Sequence, residues 1–203
     1  GQMSDLSQRA LAVLRTWDRN AEHQSKGALL FEAFARKLMG PALSNKGVFA
    51  TAFDPADPLH TPRGIKDHGK AMDALEEAAR ETEKLYGSLD AAYGDFMRFR
   101  FRGADLAGNG ADGGLGAFRV IRFGPAAAGT NKRAPVHGDT FVACVEWRKS
   151  GPQAQVLLSY GNSSQPGTKH DVDQLIYLSE KKLRTAWRLR KEVVANLESK
   201  DKL

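Results

Sequence analysis

A single cysteine, Cys144, is the only thiol in the 203 residues, so no disulfide can close within the chain and its redox compartment is not readable. Cys144 stands inside an apolar run, where a buried small hydrophobe is the expected role. Long apolar runs are also missing. No stretch of 18 apolar residues occurs, so no membrane span is expected. The five histidines, His23, His60, His68, His137 and His170, fall in neither HxxxH nor HExxH spacing, and no metal site is expected in the chain. Glycine is frequent from 108 to 116, yet the GxxxxGK[ST] pattern is absent and a strand pattern follows. That reads as a flexible connector, not a phosphate cradle. There is no GxSxG elbow and no internal repeat.

Charge of one sign is only slightly in excess. The net +6 comes from 30 Lys/Arg against 24 Asp/Glu, and residues 180–203 hold eight of the former and four of the latter, leaving +4 in that tail. The excess is read as one solvated terminal helix. Without basic and aromatic residues interleaved as a stacking platform, nucleic acid is not an expected partner. An apolar fraction of 41% is that of a folded chain, long enough for one large domain or two small ones. The opening Gly1-Gln2-Met3 reads as a tag remnant, with the natural segment beginning near Ser4. No signal-peptide pattern precedes the first helix, and the chain is expected to be an excised piece of a longer protein.

Residues 4–90 read as a helical segment. Leu6, Ala10, Val13, Leu14 and Trp17 have the 3/4 spacing of an amphipathic helix over 4–21. Ser25 is the expected cap of a second helix over 26–39, stopped by Gly40-Pro41. The proline-rich stretch 42–64 predicts a surface excursion, and 65–87 a third helix ended by Gly87.

Residues 91–203 read as a sheet segment with a C-terminal helix. Met97, Phe99 and Phe101 alternate with Arg98, Arg100 and Arg102, which predicts a half-buried strand with a basic outer face. Residues 117–123 form a further strand pattern, and 125–135 a turn-rich connector. The runs 140–147 and 153–160 are nearly continuous in apolar residues, so both are expected to be strands covered on two faces, with Val145 and Leu157 buried. Residues 174–178 read as a short strand or a helix start. Leu183, Trp187, Arg190, Val194 and Leu197 predict a final helix over 180–197. Helices, then antiparallel strands, then one helix is an α+β pattern.

Few residues suggest chemistry directly. His170 with Asp171 and Asp173 invites a triad with Ser163 or Ser164, but Asn, Ser and Asp in such a loop more often bond their own backbone. Glu146 could be a shifted carboxylate, although a partner such as Arg148 is the commoner outcome. The Arg98/Arg100/Arg102 stripe could bind an anion, or form a solvated sheet face or an interface. One reading that follows is a self-standing, non-catalytic basic domain with an anionic partner.

A second reading comes from a resemblance. Tyr160-Gly161-Asn162-Ser163-Ser164-Gln165-Pro166-Gly167-Thr168-Lys169-His170, followed by Asp173-Gln174, resembles the G-[QN]-S-x-x-P-x-S-x-H-x-x-D-Q signature of the penicillin acylase family. Its likeness is greatest to the branch that holds acyl-homoserine lactone acylases and aculeacin A acylase. Trp17-Asp18, then Ser25-x-Gly27-Ala28-x-Leu30-Phe31, resembles that family's helices. Gly113-x-x-Gly116-x-x-Arg119-Val120, His137-Gly138-Asp139-Thr140 and Val145-Glu146-Trp147 resemble its late strands. Thr168-Lys169 stand where Ser-Pro is usual, and Asn162 where Gln is common.

The resemblance implies a fragment of an N-terminal nucleophile (Ntn) hydrolase with an αββα sandwich. In such enzymes a precursor cuts itself in two. The freed N-terminal serine of the larger chain then attacks an amide, with its own α-amine as base. The matched segment would be the C-terminal part of that larger chain. The nucleophile, the oxyanion Asn and any calcium ligands would then lie upstream, and this chain would hold no catalytic residue and no cofactor of its own. Gly161, Asn162, Ser163, Pro166, His170, Asp173 and Gln174 would be signature residues with a structural role. The implied partner is the missing N-terminal portion of the same precursor, the α chain and the rest of the β chain, and uncovered sheet surface would favour self-association. The implied location of the parent is periplasmic or secreted.

Overall fold

The computed structural model describes residues 3–200. Its contacts group into two compact units, 1–100 with 105–138, and 101–104 with 139–203.

The first unit begins with three helices. Helix α1 (Asp5–Thr16) is capped by the Ser4 side chain, which accepts from the Ser7 N–H. It stops before the sequence pattern ends. Trp17 turns extended, and Asp18 Oδ1 accepts from the Asn20 N–H at 2.9 Å. Helix α2 (Ala28–Met39) starts at Gly27, in the left-handed region with φ 115°. A Cβ at Gly27 would stand 2.9 Å from the Trp17 side chain, so glycine is required there both for φ and for space. Ser25 is therefore not the cap expected of it. Its hydroxyl accepts from Trp17 Nε1 at 2.8 Å and donates to the Asn20 carbonyl at 2.7 Å, tying down the connection between the helices. Helix α3 (His68–Tyr86) is capped by Asp67, which accepts from the Lys70 N–H, and ends on Gly87 in the left-handed region.

The apolar stripes of these helices meet. Ala10, Leu30, Leu75, Ala78, Ala79 and Leu89 form one buried cluster, flanked by Leu6, Val13, Leu14 and Phe34. Leu38, Ala71 and Ala74 form a second, against Val48 and Ile65. The excursion between α2 and α3 is more ordered than expected. It carries a two-stranded antiparallel ladder, β1 (Phe49–Thr51) on β2 (Arg63–Ile65).

A single helical turn, α4 (Tyr93–Phe96), leads into β3 (Arg98–Phe101), which returns as β4 (Ala104–Ala107). Met97 and Phe99 are fully buried, as the alternation predicts. After a 3-10 turn at Gly113–Leu115, β5 (Ile121–Ala126) pairs with β6 (Arg133–Gly138). The stretch read as a turn-rich connector is thus half strand. Its register shifts between Phe123, which pairs with Pro135, and Ala126, and a proline is tolerated at such an irregularity. Phe123 stacks on Phe99 and meets Tyr93 edge-on, closing this part of the core.

The second unit is a three-stranded sheet of order β7-β8-β9 with a loop and two short helices. Strands β7 (Phe141–Arg148) and β8 (Gly151–Leu158) pair without a bulge from Phe141 opposite Leu158 to Arg148 opposite Gly151. Because opposite residues share a face, one face is wholly apolar along β7–β8. It holds Phe141 with Leu158, Ala143 with Val156, Val145 with Ala154, and Trp147 with Pro152. The other face carries Val142 with Leu157, then Cys144, Glu146, Gln153 and Gln155.

Two expectations fail in this unit. The central strands are not covered on both faces. Leu157 is fully buried, but Val145 is 48% exposed and Cys144 is exposed, because among the described residues no second layer lies on β7. The tail is not one helix over 180–197 either. It holds a one-turn-scale helix α5 (Leu175–Ser179), then β9 (Arg184–Ala186), then α6 (Arg190–Ala195). Strand β9 pairs with β8 through Ala154–Ala186, Gln155–Thr185 and Val156–Arg184. The open hydrogen-bonding edge of β8 outweighs a helical spacing that short isolated helices cannot sustain.

Candidate functional site

The loop from Tyr160 to Gln174 is the most tightly bonded irregular segment of the second unit. Gln174, 2% exposed, is its fastening. Its Oε1 accepts from the Leu158 N–H at 3.0 Å, its Nε2 donates to Asn162 Oδ1 at 2.7 Å, and its own N–H donates to the Tyr160 carbonyl. One side chain thus joins the end of β8 to both ends of the loop. Gly161 passes against the far limb. A Cβ there would lie 2.2 Å from the His170 carbonyl oxygen and 2.8 Å from that of Asp171, so no other residue fits without moving backbone.

Asp171 fills the loop interior at 5% exposure. Its Oδ2 accepts from the Gly167 N–H at 3.0 Å and its Oδ1 pairs with Arg102. Arg102 also donates to the Ser164 carbonyl at 3.2 Å, and its guanidinium lies 4.8 Å from the centre of the Phe101 ring. Phe101 in turn stacks on Tyr160 with centroids 4.6 Å apart, and burial pushes the Tyr160 phenol up. Two stacked rings and an ion pair therefore close the loop from one side.

His170 sits at the rim. Its Nδ1 is 2.7 Å from Asp173 Oδ2 and its Nε2 is 2.6 Å from Glu198 Oε2. The hydrogen bond with Asp173, and next that with Glu198, raises its pKa above the ordinary 6.5. Glu198 also accepts a hydrogen bond from Lys169, and this contact and the one with His170 hold its carboxyl below the usual 4.5. The other oxygen of Asp173 is buried with no hydrogen-bond partner among the described residues.

The loop thus brings together Gly161, Asn162, His170, Asp173 and Gln174 from the signature. Ser163 takes part mainly through backbone, its N–H donating to the His170 carbonyl while its hydroxyl accepts from the Gln165 N–H. Pro166 is exposed at the loop's far end. Both ring nitrogens of His170 face carboxylates, so neither is directed at the hydroxyl of Ser163 or Ser164. Sequence reasoning missed Arg102, Lys169 and Glu198 as contributors. Arg102 was visible only as one of three alternating arginines, and nothing local marks its partner 69 residues on.

The other candidates have ordinary partners. Arg98 and Arg100 both pair with Asp105 of β4, so the two arginines share one carboxylate. Glu146 pairs with Arg148, whose hydrogen bond lowers its pKa. Among the described residues no group of three or more His, Cys, Asp or Glu could hold a metal ion, and no helix is long and apolar enough to cross a membrane.

Comparison of the sequence with known families identifies one. The sequence model described as penicillin amidase matches residues 2–195. An acyl-homoserine lactone acylase of Pseudomonas fluorescens is 35% identical over 80% of this chain and 21% of its own length. The aculeacin-A acylase of Actinoplanes utahensis is 28% identical over 89% of this chain and 22% of its own. A solved thermostable penicillin G acylase from Alcaligenes faecalis aligns with all of this chain and 43% of its own, at 13% identity and a TM-score of 0.40. The chain spans about a fifth of the length of the curated relatives it matches.

Proposed function

The chain belongs to the penicillin amidase family, and from that premise we propose that it is the C-terminal scaffold of an acylase. The whole enzyme cleaves the amide bond of N-acyl substrates, such as acyl-homoserine lactones or acylated peptide and β-lactam antibiotics. A serine freed at the N-terminus of the larger chain, upstream of this segment, is the nucleophile, and its own α-amine is the base. An upstream Asn and a backbone N–H hold the oxyanion. The precursor is a zymogen that cuts itself, is exported to the periplasm, and completes an αββα sandwich to which this chain adds sheet. Any calcium ion of the whole enzyme is held upstream. With lactone substrates the outcome is quorum quenching.

The observation that carries this reading is the disproportion in the matches. Nearly the whole chain aligns with acylases, while covering only about a fifth of them. The internal bonding of the loop is in keeping with a scaffold. Asp171, Gln174 and His170 spend their polar atoms on neighbours within the same unit, and none is left facing an open cleft. The alternative, a basic domain for an anionic partner, loses its main feature because Arg98, Arg100 and Arg102 are already paired.

The test is hydrolysis of a fluorogenic long-chain acyl amide by this chain alone and by the full-length processed protein. No turnover by the chain with turnover by the whole is the expected result. Turnover by the chain alone overturns the proposal.

A further inference from the structure

The polar face of the β7–β8–β9 sheet bears a cleft of about 440 Å³, wholly inside the second unit. Cys144, Gln155 and Thr185 cross its floor as one row, because Cys144 stands opposite Gln155 and Gln155 opposite Thr185. Gln153 lies two residues along β8 on the same face. The segment that leads from β9 into α6 forms the wall, with Arg188, Leu189 and Glu192. The volume falls in the range of small-molecule sites, about 300–1,000 Å³.

Unlike the loop at 160–174, the cleft leaves polar groups uncommitted. Among the described residues the side chains of Gln153, Gln155 and Thr185 make no hydrogen bond. The charges differ from one another. Glu146 is taken by Arg148, and Glu192 Oε2 accepts from the Leu189 N–H at 3.0 Å. The Arg188 guanidinium has no carboxylate partner among the described residues. It lies over Gly151, where a Cβ would stand 2.7 Å from one of its nitrogens. Along β8 the order is therefore Arg188 over Gly151, then Gln153, then Gln155, at the roughly 6.6 Å repeat of alternate strand residues. An extended peptide presents its amides on one side at the same repeat. Each glutamine amide can both donate to and accept from a peptide group, and a guanidinium matches a carboxylate. Two arginines and two glutamates line the cleft, so its balanced charge does not favour a bare anion.

We propose that this cleft binds the C-terminal end of a short extended peptide, its carboxylate on Arg188 and its amides on Gln153, Gln155 and Thr185. The proposal goes beyond the acylase reading and does not rest on it.

The experiment compares trialanine with trialaninamide, titrated into the nitrogen-15-labelled chain. Trialanine shifts the Gln153, Gln155 and Thr185 amides saturably. The carboxamide binds at least about tenfold more weakly, the loss expected when a hydrogen-bonded charge is removed. Arg188→Gln, at an exposed side chain, erases that difference while leaving the remaining amide shifts of the chain in place. In the processed full-length protein, trialanine slows the alkylation of Cys144 by iodoacetamide, located by mass spectrometry. The proposal is overturned by the absence of saturable shifts, by equal affinity for peptide and carboxamide, or by a difference that survives Arg188→Gln. Displacement of trialanine by an equal concentration of acetate also overturns it, since the arginine then holds any anion. So does a Cys144 in the whole protein that trialanine does not protect, or that is unreactive without it, since the cleft is then closed there.

Discussion

The two units handle apolar residues in opposite ways. In the first, α1, α2 and α3 cover one another, so that Ala10, Leu30, Ala78 and Ala79 lose all contact with water. Even its buried charge is answered within the unit, Glu32 being met by Arg36 and Arg133. In the second, the buried apolar set shrinks to Leu157, Leu175 and Leu178, while Phe141, Val145 and Trp147 stand in solvent. Helices with 3/4 stripes can satisfy each other locally. A sheet with one wholly apolar face needs a layer over that face, and the described residues leave it exposed along β7. The difference separates a unit whose sequence completes its own core from one written for a neighbour.

The sharpest way to break that contrast is to truncate one residue of each kind in this chain. Leu30→Ala opens a cavity in the helical cluster and is expected to cost about 2–5 kcal/mol. Trp147→Ala removes a larger side chain, but one that is 81% exposed, so its expected effect in the isolated chain is within about 0.5 kcal/mol. Urea unfolding followed by circular dichroism measures both. Comparable losses would mean that the exposed sheet face is covered in solution and that the contrast is false.

A smaller effect probes what rigidity the second unit does possess. Gly161→Ala places a methyl against the carbonyl oxygens of His170 and Asp171, which are backbone and cannot rotate away. Strain of this kind typically costs about 1–3 kcal/mol. The loss should be confined to the second unit, with amide exchange faster in the loop at 160–174 and unchanged in α1–α3. Unchanged exchange at the Gln174 and Ser163 amides would show that the loop is not held together as its hydrogen bonds indicate.

The contrast also governs what could be read from sequence. The helices were legible because their evidence is local: Leu6, Ala10, Val13 and Leu14 repeat within α1, and Gly40-Pro41 and Gly87 mark the C-terminal ends of α2 and α3. The strand at Met97–Phe101 was legible for the same reason, by alternation. Strand β9 was not, because Arg184–Ala186 becomes a strand only by meeting the edge of β8 some 30 residues earlier, as in the Ala154–Ala186 pair. The ladder of β1 and β2 has three residues on each side, too few to alternate visibly. Burial of Val145 was inferred from composition alone, and composition does not say whether the covering layer belongs to the same chain. In the loop, Gly161, Asn162 and Gln174 stood out only through a family signature. The Arg102–Asp171 pair closes across 69 residues and leaves no local pattern.

The smallest predicted effect concerns the rim of the loop, where the second unit depends on charge instead of burial. His170 bridges Asp173 and Glu198, and the hydrogen bond with Asp173 is the first cause of its raised pKa. A histidine whose folded pKa exceeds its unfolded value stabilises the fold when protonated. Its contribution is complete below the ordinary 6.5 and is lost as pH rises through the folded value. Glu198 works in the other direction. Its lowered pKa gives a contribution present above the ordinary 4.5 and lost as pH falls through its folded value. The clamp is therefore strongest between those limits. The Tm difference between the unsubstituted chain and His170→Gln should be largest near pH 5–6 and fade above neutrality. Added salt should shrink it, since the groups are exposed and screened. A difference that is the same at pH 5.5 and pH 8.5 would mean that the histidine acts by packing, and that the tail at Glu198 is not drawn to the loop by charge.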